Sequence, residues 1–471
     1  MNTHNTADST TNGGTGSPWS MGTPTIGGPA TTQLKRVLGV PSLVLFGLVY
    51  MVPLTLFTTY GIVTQISGGR LPLSYLVTLV VMLFTARSYG LMARAFPYAG
   101  SAYTYSQRSF GPGIGFMAGW ALMLDYLFLP MINYLVIGIY LNAAFPAIPN
   151  WVFIVLTIAA VTALNIIGIV SVSRTNTIII AVQGIFIVVF VALALVAVNG
   201  QAAGTVDLAR PFVGDGTAEG FSPVMAGAAI LCLSFLGFDS VSTLAEETKD
   251  PKRALPKAIT WVTIGAGVIF VGLAYVSHLA YPSHSFVDTD SAALDVMGSI
   301  GGQFFTVFFT AAYVAGAAGS ALASQASAAR ILFAMGRDRV LPHRVFGGLS
   351  ARFQTPVAAI LIVSAVSLLA VVVELQLISE TVSFGALVAF SAVNLSVIKH
   401  YFFDKGLRSG ADVFRFLVLP GIGLALTVWL WTSLSATALT IGLIWLVIGI
   451  AWLAWITRGF RRPTPMLDLS E

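Results

Sequence analysis

The chain has 471 residues, 56% hydrophobic and only 9% charged, and its mean hydropathy of +0.86 excludes a soluble domain, for which about 25% charged residues is usual. Its formal charge of +5 sits in short loops between apolar runs, which makes it a topology signal and not a nucleic-acid surface. The lone Cys232 excludes an internal disulfide framework, and His4, His278, His284, His343 and His400, all in expected loops or tails, lack metal-ligand spacing, so neither a metal nor a cofactor is expected.

Apolar runs of roughly 20 residues recur from Val37 to Trp455, each long enough to cross a hydrocarbon core of about 30 Å. An all-α membrane protein of about twelve transmembrane helices is expected. Residues 1–33 are rich in Thr, Gly, Ser and Asn and read as a disordered tail. No basic start with a following apolar stretch marks a signal peptide, so the first helix is expected to serve as its own insertion signal.

Helix 1, about Val37 to Ile66, contains Val52-Pro53-Leu54-Thr55. Proline removes an amide donor and clashes with the carbonyl four residues back, so the helix kinks or unwinds there. Helix 2, about Leu73 to Phe96, carries Arg87 inside its span, expected to snorkel toward the cytoplasmic end with Arg94. Between Phe96 and Trp120, Pro97, Gly100, Gly111, Pro112 and Gly113 punctuate a short amphipathic segment whose Tyr103, Tyr105 and Arg108 suit a membrane interface. Helix 3, about Ile114 to Phe145, places Asp125 and Tyr126 inside the bilayer. Helices 4 and 5, about Trp151 to Val170 and Thr175 to Val198, are nearly uncharged.

Helix 6 begins near Phe221 and reads through Phe235-Leu236-Gly237-Phe238-Asp239 before breaking into a charged loop with Glu246 and Glu247. A carboxylate at this depth costs roughly 2.5–3.5 kcal/mol on insertion scales and marks a functional site by default. Helices 7 and 8 are expected at about Pro256 to Tyr281 and Gly302 to Phe333, the latter rich in small residues that allow close packing. Helices 9 to 12 are expected at Pro356–Val373, Ile378–Tyr401, Phe414–Leu434 and Ala436–Ile456. The division that follows is a tail (1–33), helices 1–5 (34–199), helices 6–10 (200–408), helices 11–12 (409–457) and a second tail (458–471). With the amino terminus inside, only Arg70 and Arg210 fall outside, so both termini are expected in the cytoplasm. The outer loops then hold Asp207, Asp215, Glu219, Asp288, Asp290, Asp295, Glu374 and Glu380, which either raise the local concentration of cations or simply solvate the loops.

Two helices five apart in order are interrupted mid-span, at Val52-Pro53-Leu54 and Leu236-Gly237-Phe238. A matched pair of broken helices points to a transporter of inverted repeats with its substrate at the unwound backbone. Pro53 withdraws an amide and no Gly-rich turn accompanies it, so a substrate carboxylate is poorly served. Asp125, Asp239, freed carbonyls and the rings of Tyr126, Phe235 and Phe238 instead suit a protonated amine, each cation–π contact contributing roughly 0.5–2 kcal/mol. Asp125 alternatively only bridges to a neighbouring helix, and the phenylalanines are alternatively core. Asp239 serves the amine, the coupling proton, or both, since a buried carboxylate can gain and lose a proton during transport. Glu246 and Glu247 pair with local basic residues as a gate or anchor.

Three blocks, FPYAGSAYTYSQ, SFLGFDSVSTLAEETKDPKRALPKAI and MGRDRVLP, make the chain resemble the amino acid–polyamine–organocation family of secondary transporters over about Val37 to Ile456. GIVTQISGG, LDYLFLPMIN, SFLGFD and FGALVAFSAVNLSV are similar to its bacterial putrescine importers. The resemblance implies a LeuT-like fold of five-plus-five inverted repeats in the bacterial inner membrane, with proton-driven diamine import by alternating access. It also implies a pathway lined by helices 1, 3, 6, 8 and 10, with Tyr313 on helix 8 among the substrate contacts. Asp239 falls where acid-bearing relatives place a proton-linked carboxylate, and Asp125-Tyr126 on the substrate-facing turn of helix 3. Two features depart from the pattern: the first break lacks the Gly-Ser-Gly of amino acid carriers, and Gln183 stands near the position of a lysine found in several relatives. The partners expected are a small cationic substrate, protons and the lipid bilayer, with no nucleic acid and no obligatory protein partner. An amino acid permease is the alternative reading, and a channel or transporter-like receptor is the alternative of another class. An enzyme is not expected, because no hydrolytic or phosphate-binding constellation is present.

Overall fold

The computed structural model describes residues 36–462 except 99–100, 169–172, 202–205, 215, 217–219, 284, 287 and 338. The expected tail of residues 1–33, together with Gly100, Asp215, Glu219 and His284, lies outside the described residues. Within them the chain is helical, apart from one isolated bridge between Leu38 and Thr248. Among the described residues eleven helices are long and apolar enough to cross a membrane, and the shorter apolar stretch Val357–Val371 takes the place of the ninth expected span.

The helices begin where proline permits. Pro41, Pro72, Pro112, Pro223 and Pro251 each stand in the first positions of a helix, where a missing N–H has no intrahelical partner to lose. Helix 1 is Val40–Tyr50, a 3₁₀ segment Pro53–Thr58, and Tyr60–Ile66; helix 2 is Leu71–Ala95. After the short helix Ser101–Phe110 come helix 3 (Pro112–Ala144), helix 4 (Asn150–Ile167) and helix 5 (Ser173–Asn199). Helix 6 is Ser222–Leu231 with 3₁₀ segments Cys232–Phe235 and Ser240–Glu247, and helix 7 is Pro251–Ala280. Helix 8 is Ala292–Arg337, helix 9 Val357–Ser367 and helix 10 Leu375–Val397, extended by a π-helical turn Ile398–Asp404. Helix 11 is Leu419–Thr432, preceded by the short helix Gly410–Val413 and the π-helical turn Phe414–Val418; helix 12 is Ala436–Ile456.

Burial sorts these helices into centre and periphery. The apolar window of helix 6 is 94% buried and those of helices 3 and 10 are 78% buried, against 17% for helix 12. A helix that is hydrophobic all round and buried all round is a central one, so helices 3, 6 and 10 form the middle. The loops alternate between a basic face, carrying the segments around Arg94, Lys249, Arg344 and Lys405, and an acidic face carrying Asp207, Asp288 and Asp290.

Four expectations change. Helix 8 starts earlier than Gly302, with Asp295 in its first turn and a break in direction at Gly302 (φ 65°, ψ −166°). The hydroxyl-rich segment Ser101–Phe110 is no interface helix: Tyr103 and Tyr105 are buried and only Arg108, over the Tyr98 ring at 5.9 Å, is exposed. Glu380 is not an outer-loop charge but a buried anchor, accepting from Gln376 Nε2 at 2.8 Å and from the Ser435 backbone N–H at 3.1 Å and its hydroxyl. It thereby fixes the start of helix 12 to helix 10. His278 is buried in the last turn of helix 7 rather than placed in a loop.

Candidate substrate site between the two breaks

Helix 1 stops at Tyr50 because Pro53 cannot continue it and the residue before proline is pushed out of the α region. Val52 takes up the distortion, with φ 50° and ψ 96°, a conformation rare for a β-branched residue. In helix 6 Leu236 is extended (φ −64°, ψ 119°) and Gly237 has φ 138°. A Cβ on Gly237 would stand 2.9 Å from Met51 Cγ, 3.1 Å from a Tyr50 ring carbon and 3.2 Å from the Gly47 carbonyl oxygen. Only glycine therefore serves at this point, both for its conformation and for the contact: the two breaks lie against each other.

Four backbone donors at the breaks are engaged internally. Val52 N–H donates to the Val49 carbonyl (3.1 Å), Thr55 N–H to Val52 (2.8 Å) and Leu236 N–H to Leu233 (3.2 Å). Gly237 N–H donates to Asp239 Oδ1 at 3.1 Å. The Thr55 hydroxyl takes the Met51 carbonyl at 2.7 Å, so this carbonyl is not the free acceptor expected from the sequence.

Asp125 and Asp239 are 5% and 4% exposed, and their charges reach each other as well as the hydroxyls of Tyr50 and Tyr126. Asp125 Oδ1 has no hydrogen-bond partner among the described residues. A buried carboxylate oxygen without a donor is costly and rare. One turn further along helix 3, Pro130 interrupts the helix interior and deprives the Tyr126 carbonyl of its usual donor, which adds a neutral acceptor to the same turn.

A cavity of about 30 Å³ opens beside the carboxylates, lined by Tyr50, Val52, Thr55 and Thr58 of helix 1, Leu129 and Asn133 of helix 3, Leu233 and Leu236 of helix 6, and Tyr313 and Ser320 of helix 8. A larger one of about 110 Å³ shares Tyr50, Val52, Leu129 and Ser320 with it and extends past Gln183 and Gly316. Of the residues singled out in the sequence, Val52, Thr55, Leu236 and Tyr313 line the smaller cavity. Pro53, Leu54 and Gly237 shape the breaks without lining it, and Asp125, Tyr126 and Asp239 do not line it either, the charges of the two acids reaching the hydroxyl of Tyr50, which does.

Phe235 and Phe238 are corrected: neither lines the cavity. Phe235 packs edge-to-face on Phe270 of helix 7 at 5.4 Å, and Phe238 packs on Tyr89 (5.5 Å) and Phe390 (5.2 Å). Residues that the sequence did not mark take their place: Asn133, whose Nδ2 donates to Ser320 Oγ at 3.1 Å, Thr58, paired with the Tyr313 hydroxyl, and Tyr50. Neutral polar side chains in apolar helices carry no signal as strong as a buried acid.

Rings close both ends. Toward the acidic face Tyr140 packs on Tyr313 (4.8 Å) and Phe309 (5.3 Å) and donates to the Phe57 carbonyl at 2.9 Å. Toward the basic face Tyr89 packs on Tyr105 (5.8 Å) and Phe390 (5.8 Å). Beyond that layer, the Glu247 carbonyl accepts from Val37 N–H (2.9 Å) and Leu38 N–H (3.0 Å), and Lys249 N–H donates to the Leu38 carbonyl (3.1 Å). This pairing of helix 1 with the end of helix 6 runs through the main chain and not through the Glu247 carboxylate; the side chain of Glu246 lies outside the described residues. On the acidic face, Asp288 is held by Asp290 N–H (3.1 Å) and the Ser291 hydroxyl (2.6 Å). Burial first, then Asp288 and Glu374, push the Asp290 carboxyl up to about 6.

The chain is similar to known proteins over most of its length. The chain is 42% identical, over 93% of its length and 97% of the relative's, to the low-affinity putrescine importer PlaP of Escherichia coli (strain K12). It is 28% identical to the branched-chain amino acid permease BcaP of Bacillus subtilis (strain 168), over 89% of this chain and 92% of that one. Among solved structures, MhsT in complex with L-phenylalanine superposes with a TM-score of 0.60 at 16% identity, covering 85% of this chain and 99% of that one, which establishes the LeuT-like fold. Residues 42–459 match the family described as "Amino acid permease", and the chain belongs to that family of membrane transporters.

Proposed function

We propose that this chain imports putrescine or a similar diamine across the bacterial cytoplasmic membrane by proton symport and alternating access. The basic face is then cytoplasmic, as the distribution of Lys and Arg favours, and residues 34–199 and 200–408 act as the two inverted repeats. One observation carries the substrate reading: two buried carboxylates, one with an oxygen that has no donor among the described residues, stand near helix breaks at which the amides of Val52, Thr55, Leu236 and Gly237 are engaged. The site attracts cations and offers little to a substrate carboxylate. Putrescine import by PlaP, 42% identical to this chain, supports the same class.

In this reading Asp125 and the Tyr126 carbonyl receive one ammonium group, and the methylene chain lies along Val52, Leu129 and Leu236. Asn133, Ser320 and Tyr313 hydrogen-bond the second ammonium. Asp239 carries the coupled proton, its Oδ1 held by Gly237 so that protonation is felt directly at the break. A site opening alternately at the two ring layers would deliver substrate from the acidic face to the basic one. An amino acid substrate is the second reading, favoured by the BcaP relationship. Uptake of radiolabelled putrescine into proteoliposomes, challenged with excess cadaverine, leucine or arginine, separates the two. Cadaverine should compete; full competition by leucine or arginine with none by cadaverine would overturn the diamine reading.

A further inference from the structure

Helices 2 and 11 pack side by side, closely enough that a Cβ on Gly423 would sit 3.2 Å from Phe84 Cβ. Each turns an apolar stripe outward near this contact. On helix 2 the stripe is Leu76 and Val80, 41% and 43% exposed; on helix 11 it is Val418 and Ile422, 38% and 39% exposed. Each stripe ends, toward the basic face, in an exposed arginine: Arg87 and Arg415. The spacings Leu76, Val80, Arg87 and Arg415, Val418, Ile422 keep each set on one helix face.

Both arginines lie inside the helical stretches and not in the loops. Arg87 is eight residues before the end of helix 2 at Ala95, and Arg415 five residues after the start of the helical segment at Gly410. At about 1.5 Å per residue these are depths of roughly 12 Å and 8 Å, within reach of a headgroup layer for a long side chain. Arg415 is carried on the π-helical turn Phe414–Val418, a local irregularity that often accompanies function.

The two helices close on each other at Gly423 and Phe84, about one turn from Arg87, and no described carboxylate forms an ion pair with either arginine. Of the acids nearest along helices 10 and 11, Asp404 is paired with Lys399, and Asp412, one turn before Arg415, accepts from the Ser409 hydroxyl at 2.6 Å. Two like charges brought to the same patch of the headgroup layer favour an anion between them. Guanidinium forks match phosphate oxygens in bidentate geometry, and basic recesses between transmembrane helices are where anionic headgroups dock.

We propose that Arg87 and Arg415 clamp the phosphodiester of an anionic membrane lipid, whose acyl chains lie along Leu76–Val80 and Val418–Ile422. The lipid joins helix 2 to helix 11 at the basic face. A free phosphate ion offers the same oxygens, but only a lipid also covers the two apolar stripes.

Native mass spectrometry and thermal melting of the purified full-length protein test this, with phosphatidylglycerol, phosphatidylcholine and inorganic phosphate as probes. Phosphatidylglycerol should be retained and should raise the melting midpoint; phosphatidylcholine and millimolar phosphate should do neither. The Arg87→Gln/Arg415→Gln variant should lose about tenfold in phosphatidylglycerol retention together with the rise in midpoint, whereas Arg344→Gln, at a loop on the same face, should lose neither. Arg87→Lys/Arg415→Lys keeps the charges and removes the forks, and should bind at least threefold more weakly, so the claim stays testable if the Gln pair cannot be purified. Undiminished phosphatidylglycerol retention in either double variant would overturn the proposal. A midpoint rise with inorganic phosphate equal to that with the lipid would overturn the lipid assignment.

Discussion

Asp125→Asn is the substitution for which the structure gives a definite size. The Oδ1 atom has no donor, so in the empty site nothing is lost when the carboxylate becomes an amide of the same shape. In the loaded site an ammonium group would meet an amide in place of an anion. A hydrogen bond to a charged partner contributes about 1.5–3 kcal/mol, and about 1.4 kcal/mol is a factor of ten in affinity, so apparent putrescine affinity should fall roughly 10- to 150-fold. Because Asp125 also feels Asp239, removing its charge should leave the melting midpoint unchanged or raise it. Concentration-dependent uptake of radiolabelled putrescine into proteoliposomes, with melting of the same preparation, measures both. An unchanged apparent affinity, or a melting midpoint that collapses, would move Asp125 from the substrate to the scaffold and refute the reasoning.

Other perturbations follow from single contacts. Gly237→Ala brings a Cβ within 2.9 Å of Met51 Cγ at φ 138° and should cut the uptake rate about 5- to 160-fold, from strain of about 1–3 kcal/mol, while the protein still reaches the membrane. A Cβ on Gly316 would stand 1.9 Å from Gln183 Nε2, so Gly316→Ala should impair transport and Gln183→Ala should partly restore it; strictly additive losses would sever the two residues. Glu380→Ala removes the acceptor of three donors and should lower the melting midpoint by several degrees with unchanged apparent affinity. The Asp290 carboxyl stands raised, to about 6, so the folded state binds its proton more tightly than the unfolded chain does. Stability should fall as pH rises through about 4 to 6. Asp290→Asn should flatten that part of the melting profile, and an unaltered profile would contradict the assignment.

The breaks were legible because their causes are local. Pro53 disrupts any helix, and Gly237 precedes an acid too costly to bury by accident. Asp125 and Asp239 stood out for the same reason, and the structure brings their charges within reach of each other. The aromatic roles were not legible: Phe235 and Phe238 look alike in sequence whether they face a cation or another ring, and only packing on Phe270, Tyr89 and Phe390 separates the cases. Tyr103 and Tyr105 were misplaced because a hydroxyl-rich amphipathic helix reads identically at a membrane surface and against a polar seam between helices. Glu380 was misread because its partner, Ser435, is distant in sequence. Asn133 and Ser320 went unmarked because an amide or hydroxyl can be satisfied inside an apolar helix at little cost, so its presence there demands no explanation.

The most direct test of the central claim is accumulation of radiolabelled putrescine by proteoliposomes of the wild-type protein and of Asp239→Asn, each with and without an inward proton gradient. Wild type should concentrate putrescine only when the gradient is imposed. Asp239→Asn should equilibrate putrescine down its own gradient and fail to concentrate it. Gradient-independent accumulation by the wild type, or normal gradient-driven accumulation by Asp239→Asn, would contradict proton coupling through this carboxylate.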